Sequence, residues 1–190
     1  MKIGLFFGSF NPIHMGHMII ANIMAETTDL DKVWFVVTPQ NPLKPAKGLL
    51  HDFDRYDMVR AAAYENYKLE VSDVEFSLPK PNYTIHTLVH LTEKHPNKEF
   101  KVIIGEDNLE SFTHWKNYER IIEDYGLYVY PRPNVTNSEL KRHPNVKMVE
   151  APMMDISATF IRNCIRKGQS VRYLVPDAVE AMIRDKKFYL

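Results

Sequence analysis

Ten residues near the amino terminus, Gly8-Ser9-Phe10-Asn11-Pro12-Ile13-His14-Met15-Gly16-His17, hold the side chains best suited to chemistry in this chain. His14 and His17 are three apart. If a helix begins there, both imidazoles lie in its first turn and point at one ligand. The unpaired N–H groups and the positive dipole end of a helix start favour an anion, and Gly16 lets a ligand approach the backbone. Gly8 lets the chain leave a strand in a conformation closed to residues with a Cβ, and Pro12 stiffens the loop. The pattern describes a phosphate site with two histidine donors. A purely structural role is harder to sustain for two histidines at this spacing after a glycine turn. Zinc is the other competitor, but His-x-x-His offers two ligands and no nearby Cys or Glu completes the set, so no metal site is expected.

A second concentration of polar chemistry lies in Asp155-Ile156-Ser157-Ala158-Thr159-Phe160-Ile161-Arg162. Ser157 is placed to cap a helix, and the hydroxyls of Ser157 and Thr159, the first amides and the Arg162 guanidinium suit a polyphosphate. An ordinary capped helix with a surface arginine fits this segment equally well on its own. Lys44 and Lys47 sit on a Pro-broken loop that can close over a phosphate, Gly105-Glu106-Asp107 follows an apolar run, and Arg132 stands between two prolines. Trp115 has polar neighbours, which favours a partly open ring available for stacking.

These groups need elements to position them. Apolar runs at 3–7, 33–37, 69–74, 101–104, 126–130 and 146–149 read as strands. Helices are expected from 18–24 and 53–64, from Thr84 as N-cap, from Ser157, and from Pro176 at a first helical position. Strands alternating with helices imply a parallel α/β sheet, doubly wound and Rossmann-like, with helices on both faces and ligands outside the strands' carboxyl ends. Every candidate falls at such an end. Neither a Walker sequence nor Gly-x-Gly-x-x-Gly occurs, which disfavours a P-loop kinase or a dinucleotide dehydrogenase. With His, Lys and Arg but no activated nucleophile, the natural chemistry is nucleotidyl transfer by positioning and charge stabilisation, helped by a divalent cation bound chiefly through substrate phosphates.

Composition sets the remaining bounds. A chain of 190 residues suits one domain, 1–190, without internal repeats. Twenty-four basic residues balance twenty-four acidic ones, so no overall field draws the chain to nucleic acid or an anionic membrane. No apolar run approaches the roughly 20 residues of a membrane span, and no signal peptide is evident, so a cytoplasmic protein is expected. The one cysteine, Cys164, excludes an internal disulfide and reads as a packed helix residue.

The two motifs together resemble a known family. Gly8 to His17 is similar to the Gly-x-Phe-Asp/Asn-Pro-x-His-x-Gly-His signature of the nucleotidyltransferase superfamily, and Ile156 to Arg162 resembles its Ile-Ser-Ser-Thr-x-x-Arg motif. Within it the chain resembles the bacterial nicotinate mononucleotide adenylyltransferases, with Asn82-Tyr83-Thr84-Ile85-His86-Thr87, Ile104-Gly105-Glu106-Asp107 and Trp115-Lys116 as supporting matches. The resemblance implies transfer of AMP from ATP to nicotinate mononucleotide, with Mg2+ carried by ATP. It places Gly8, Ser9, Phe10, His14, Gly16, His17, Gly105, Asp107, Arg132, Ser157, Thr159 and Arg162 against ATP, with His14, His17 and Arg162 catalytic. Asn11, Lys44, Tyr83, Thr84 and Trp115 are placed against the mononucleotide. Phe7, Asn11, His86 and Ala158 depart from the commoner Gly, Asp, Asp and Ser, and Pro42-Leu43-Lys44 lacks the family's His. Phosphopantetheine or nicotinamide mononucleotide as the acceptor, and a non-catalytic nucleotide sensor, are the alternatives. A homo-oligomer is left open.

Overall fold

Strands buried on both faces must be apolar at consecutive positions, and the central strands of this chain are, while the two edge strands, LEVS and VKM, are mixed. In the computed structural model, which describes residues 1–42, 48–133, 135 and 138–190, β1 (Lys2–Gly8) leads into α1 (Met15–Thr27), β2 (Lys32–Val37), α2 (Asp52–Ala63) and β3 (Leu69–Ser72). A 3-10 turn, Val74–Phe76, precedes α3 (Thr84–Lys94), β4 (Glu99–Gly105) and the short α4 (Glu106–Glu110). After α5 (Tyr118–Arg120) come β5 (Leu127–Tyr130), β6 (Val146–Met148), α6 (Ala158–Arg166) and α7 (Asp177–Asp185). The six strands form one parallel sheet in the order β3-β2-β1-β4-β5-β6. The chain winds outward from β1 to β3, then restarts on β1's other side at β4. The crevice at the carboxyl ends of β1 and β4 is therefore the topological switch point, where α/β sheets of this kind bind ligands.

Alternation along each strand divides the core. Phe6, Phe35, Ile103 and Tyr128 face a layer containing Ile20, Met24, Met58, Ile161, Val179 and Ile183, from α1, α2, α6 and α7. Leu5, Trp34, Val36, Val102 and Val129 face the layer of Ile85, Leu88, Leu109, Phe112 and Ile121. Cys164 is buried in α6, as its apolar setting implied.

Three element boundaries differ from expectation. Tyr83, with no side-chain cap, takes the N-cap of α3, so Thr84 is the first helical residue. Pro176 is the N-cap of α7, because its carbonyl already accepts from Val179 and Glu180. Val74 leaves β3 because the Ser72 hydroxyl accepts its N–H and Phe76 N–H bonds to Asp73, turning the chain.

Two polar clusters tie the sheet at opposite ends. Arg55 of α2 is fully buried; its Nη1 donates to the carbonyls of Ser9 (2.5 Å) and Thr38 (2.9 Å), its Nε to Leu50 O (3.1 Å) and its Nη2 to Asp52 (2.6 Å). One guanidinium thus binds the segments leaving β1 and β2. At the other end, Asp29 accepts from Lys2 Nζ (2.6 Å), Tyr128 Oη (2.6 Å) and Lys147 Nζ (3.0 Å), joining β1 to β5 and β6. The Lys2 bond, then those of Tyr128 and Lys147, hold the Asp29 carboxyl well below the usual carboxylate range.

Arg55→Ala leaves buried carbonyls without a donor and is expected to cost about 3–5 kcal/mol, measured by chemical denaturation. Arg55→Lys should recover only part of this, since one ammonium cannot span the same acceptors. Asp29→Asn is expected to cost only about 1 kcal/mol at neutral pH, because the carboxyl is half exposed and screened. A depressed folded-state value stabilises above the ordinary carboxylate pKa of about 4 and loses that contribution as pH falls through the lower one. Melting curves of Asp29→Asn and the parent protein should therefore converge on acidification.

Candidate active site

The loop from β1 to α1 is built around an aromatic ring. Gly8 keeps ordinary strand geometry, and it is Phe10 that takes the left-handed conformation, with φ at +45°. A Cβ on Gly8 would lie 2.8 Å from the Phe10 ring, so glycine is needed here for close approach and not for backbone freedom. The Phe10 ring is buried edge-on against Phe6, Phe35 and His17, at centroid distances of 6.1, 5.4 and 5.1 Å. Phe10 therefore serves as the floor under His17.

His14 is the N-cap of α1 and His17 its third residue. The His14 backbone N–H donates to His17 Nδ1 (3.3 Å), which in the neutral ring puts the proton on Nε2. The two imidazoles stack with centroids 3.7 Å apart. A Cβ on Gly16 would come within 3.1 Å of the His14 ring, so this glycine makes room for the histidine. Burial, reinforced by the charge of Arg132, pushes His14 down to about 4, and its Nδ1 is buried without a partner. His14 is therefore neutral at physiological pH.

The second motif meets the first across the cleft. Ser157 caps α6, accepting from Phe160 N–H (3.2 Å). Arg162 donates through Nη1 to the Asn11 carbonyl (2.7 Å) and through Nη2 to Thr159 Oγ1 (3.1 Å). Asn11 was expected on the mononucleotide side, but its amide is occupied by the protein. Nδ2 donates to Gly48 O (3.0 Å), and Oδ1 accepts from Leu50 N–H (3.2 Å) and from the Tyr189 hydroxyl (3.0 Å). Gly105 ends β4 and stands off the cavity; a Cβ there would collide with the Asp107 carboxylate and crowd Arg132 and Tyr130. Arg132 Nε lies 3.7 Å from Asp107 Oδ1, its Nη1 donates to Met154 O (3.3 Å), and its backbone N–H donates to Glu106, which also pairs with Lys141.

Together these residues line a cavity of about 540 Å³, reached by Gly8, Ser9, His14, His17, Asp107, Arg132, Ser157, Thr159 and Arg162. A smaller cavity of about 210 Å³ holds Tyr83, Thr84, Trp115 and Lys116. Both are walled by Phe7, Thr38, Asn41 and Asn108, so they adjoin. Lys116 Nζ sits 4.7 Å over the Tyr83 ring, and Trp115 is half-buried against Phe112. The uncapped start of α3 faces this cavity through Tyr83 and Thr84. Lys44 and Lys47 lie outside the described residues. No group of three His, Cys, Asp or Glu side chains is gathered for a metal among the described residues.

Sequence reasoning missed Arg55, Glu75, Asn108 and Tyr189. The one available signal was for Arg55, a basic residue amid the helical apolar period Phe53, Tyr56 and Val59. Tyr189 carried none, since its contact with Asn11 spans 178 positions.

Residues 5–164 match the cytidylyltransferase-like family model. Over its whole length the chain is 60% identical to the protein of Cytophaga hutchinsonii named probable nicotinate-nucleotide adenylyltransferase, covering 98% of it. It is 52% identical over its whole length to the protein of the same name in Flavobacterium johnsoniae, covering 99% of it. Among solved structures, the Plasmodium falciparum nicotinic acid mononucleotide adenylyltransferase complexed with NaAD superposes with a TM-score of 0.84 at 20% identity, over 99% of this chain and 97% of that one. This last likeness carries the fold. The full-length identities carry the kinship, and the chain belongs to the nicotinate-nucleotide adenylyltransferase family.

Proposed function

We propose that this chain, acting as one unit over residues 1–190 in the cytoplasm, transfers AMP from ATP to nicotinate mononucleotide, giving nicotinate adenine dinucleotide and pyrophosphate. The observation that carries the reading is the junction of the two motifs, Arg162 Nη1 on the Asn11 carbonyl at 2.7 Å, beside a cavity that opens into a second, aromatic-walled one. The larger cavity suits the nucleoside triphosphate and the smaller one a pyridine ring.

In the reaction a phosphate oxygen of the mononucleotide attacks the α-phosphorus of ATP. A new P–O bond forms there as the α–β bridging bond breaks, and pyrophosphate leaves with its electron pair. Charge builds on the α-phosphoryl oxygens and on the leaving group, so catalysis requires donors fixed in advance around them. His17 is such a donor, because the His14 N–H on Nδ1 commits its proton to Nε2. Neutral His14 adds a second imidazole without drawing counterions into an empty site. Arg162, the Thr159 hydroxyl and the start of α6 take the leaving pyrophosphate. Arg132 and Asp107 flank the opposite wall, toward the adenosine. Among the described residues the lining of the larger cavity is cationic or neutral apart from Asp107, which fits Mg2+ entering on the ATP phosphates; bound there, the cation would neutralise triphosphate charge.

Selection of the acid follows from the smaller cavity. The first N–H groups of α3 and the Lys116 ammonium favour a carboxylate over a neutral amide. The Trp115 ring supplies a stacking face.

His17→Ala is expected to lower kcat by about 10²- to 10³-fold with little change in KM for ATP, since its bond strengthens only as charge develops. Steady-state kinetics with pyrophosphate release as the readout decide this, and near-native turnover would remove His17 from the mechanism. Trp115→Ala should raise KM for both nicotinate and nicotinamide mononucleotides and leave that for ATP unchanged. In the parent enzyme kcat/KM should favour the acid by at least about 10²-fold. Equal efficiencies for the two would mean a dual-specificity enzyme.

A further inference from the structure

Past α7 the chain turns back toward the loop that carries His14 and His17. Lys187 and Tyr189 both take left-handed backbone angles there, at φ +54° and +68°, which residues with a Cβ seldom adopt. Such a conformation persists only where its surroundings impose it. Phe188 N–H bonds to Ile183 O (3.0 Å), Lys186 Nζ pairs with Asp54 of α2 (2.9 Å), and the Tyr189 ring is buried in the layer formed by α1, α2, α6 and α7. The hydroxyl of that ring is thereby delivered to Asn11.

The bonds at Asn11 admit one orientation of its amide. Leu50 N–H requires an acceptor and Gly48 O requires a donor, so Oδ1 and Nδ2 cannot exchange places. Oδ1 has no proton to give, and the Tyr189 hydroxyl is therefore the donor of the third bond (3.0 Å). Burial pushes the phenol up, against the pull of Arg162 and Arg55, so it keeps that proton. The carbonyl of the same Asn11 accepts from Arg162 Nη1 (2.7 Å), while Arg162 Nη2 bonds to the Thr159 hydroxyl (3.1 Å). The place of the guanidinium in the cavity follows the place of this carbonyl, and the carbonyl moves with a side chain that Tyr189 helps to hold.

We propose that Tyr189 is a positioning residue for adenylyl transfer: its hydroxyl fixes Asn11, and Asn11 fixes the Arg162 guanidinium against the polyphosphate. The proposal rests on the assignment of the larger cavity to ATP. Tyr189 itself stands outside both cavities. Displacing a group that stabilises a leaving group costs turnover more than ground-state affinity, so the effect falls on kcat. KM for the mononucleotide, which the other cavity receives, is untouched.

The test is a double-mutant cycle on kcat, read by pyrophosphate release. Tyr189→Phe keeps the ring and leaves Oδ1 its bond from Leu50. It should lower kcat about tenfold, with KM for nicotinate mononucleotide within about twofold of the parent value. In an Arg162→Ala background the same substitution should change kcat by less than about twofold, because the group it positions is gone. Asn11→Ala cuts the link from the other side and should repeat both results, which keeps the test decisive whatever the stability of Tyr189→Phe. A merely structural tie would lower kcat by the same factor in both backgrounds, through the folded fraction. That outcome overturns the proposal, as does a parent-like kcat in Tyr189→Phe. The underlying cavity assignment fails separately, if Arg162→Ala alone leaves kcat and KM for ATP unchanged.

Discussion

The bond from Arg162 to the Asn11 carbonyl is the constraint on which the active site depends. It joins residues 151 positions apart, and each side of the cleft is positioned by the other through it. Asn11 is held in place for it by its own amide's bonds with Gly48, Leu50 and Tyr189, while Arg55 holds the carbonyl of Ser9 two residues earlier. A loop braced on so many sides keeps the two stacked imidazoles in register with the start of α6. Such preorganisation is what a reaction driven by positioning and charge stabilisation requires.

Electrostatics divide the cleft into two regions of different character. The larger cavity gathers Arg132, Arg162 and two imidazoles, and its one carboxylate among the described residues, Asp107, is partnered by Arg132. The smaller one is walled by Tyr83 and Trp115 and, among the described residues, carries one ammonium, that of Lys116 over the Tyr83 ring. On the proposed assignment, highly charged phosphates would meet the cationic region and a flat heteroaromatic ring the aromatic one, across the shared wall at Phe7, Thr38, Asn41 and Asn108.

The parallel sheet and both motifs were legible because they rest on local signals: continuous apolar runs, a glycine turn, and Ser157 ahead of a helix. The resemblance then tied the two motifs to one reaction. What escaped were interactions whose partners are remote in sequence or whose signal has two readings. Gly8 could serve backbone freedom or close approach, and only the folded position of Phe10 decides between them. Asn11 could face a ligand or brace a loop, and the choice depends on Tyr189 and Gly48, which no spacing rule connects to it. Thr84 looked like a cap because its type favours one, yet Tyr83 holds that place. Buried Arg55 and Glu75 are hardest of all to foresee, since their side-chain type argues for solvent and only tertiary partners make burial tolerable.

The position of Tyr189 bears on how the protein comes into being. The loop carrying Asn11 is synthesised ahead of Arg162 and Tyr189, which brace it and come 151 and 178 positions later. At translation rates of about 5–20 residues per second, Asn11 waits on the order of ten to forty seconds for Tyr189. The nascent chain therefore passes through a period in which β1, β2 and α2 can assemble while the nucleotide loop lacks its last struts. The loop is fully braced only after residue 189 has left the ribosome, so a chain stalled before that point can possess most of the sheet while Asn11 still lacks its bond from Tyr189.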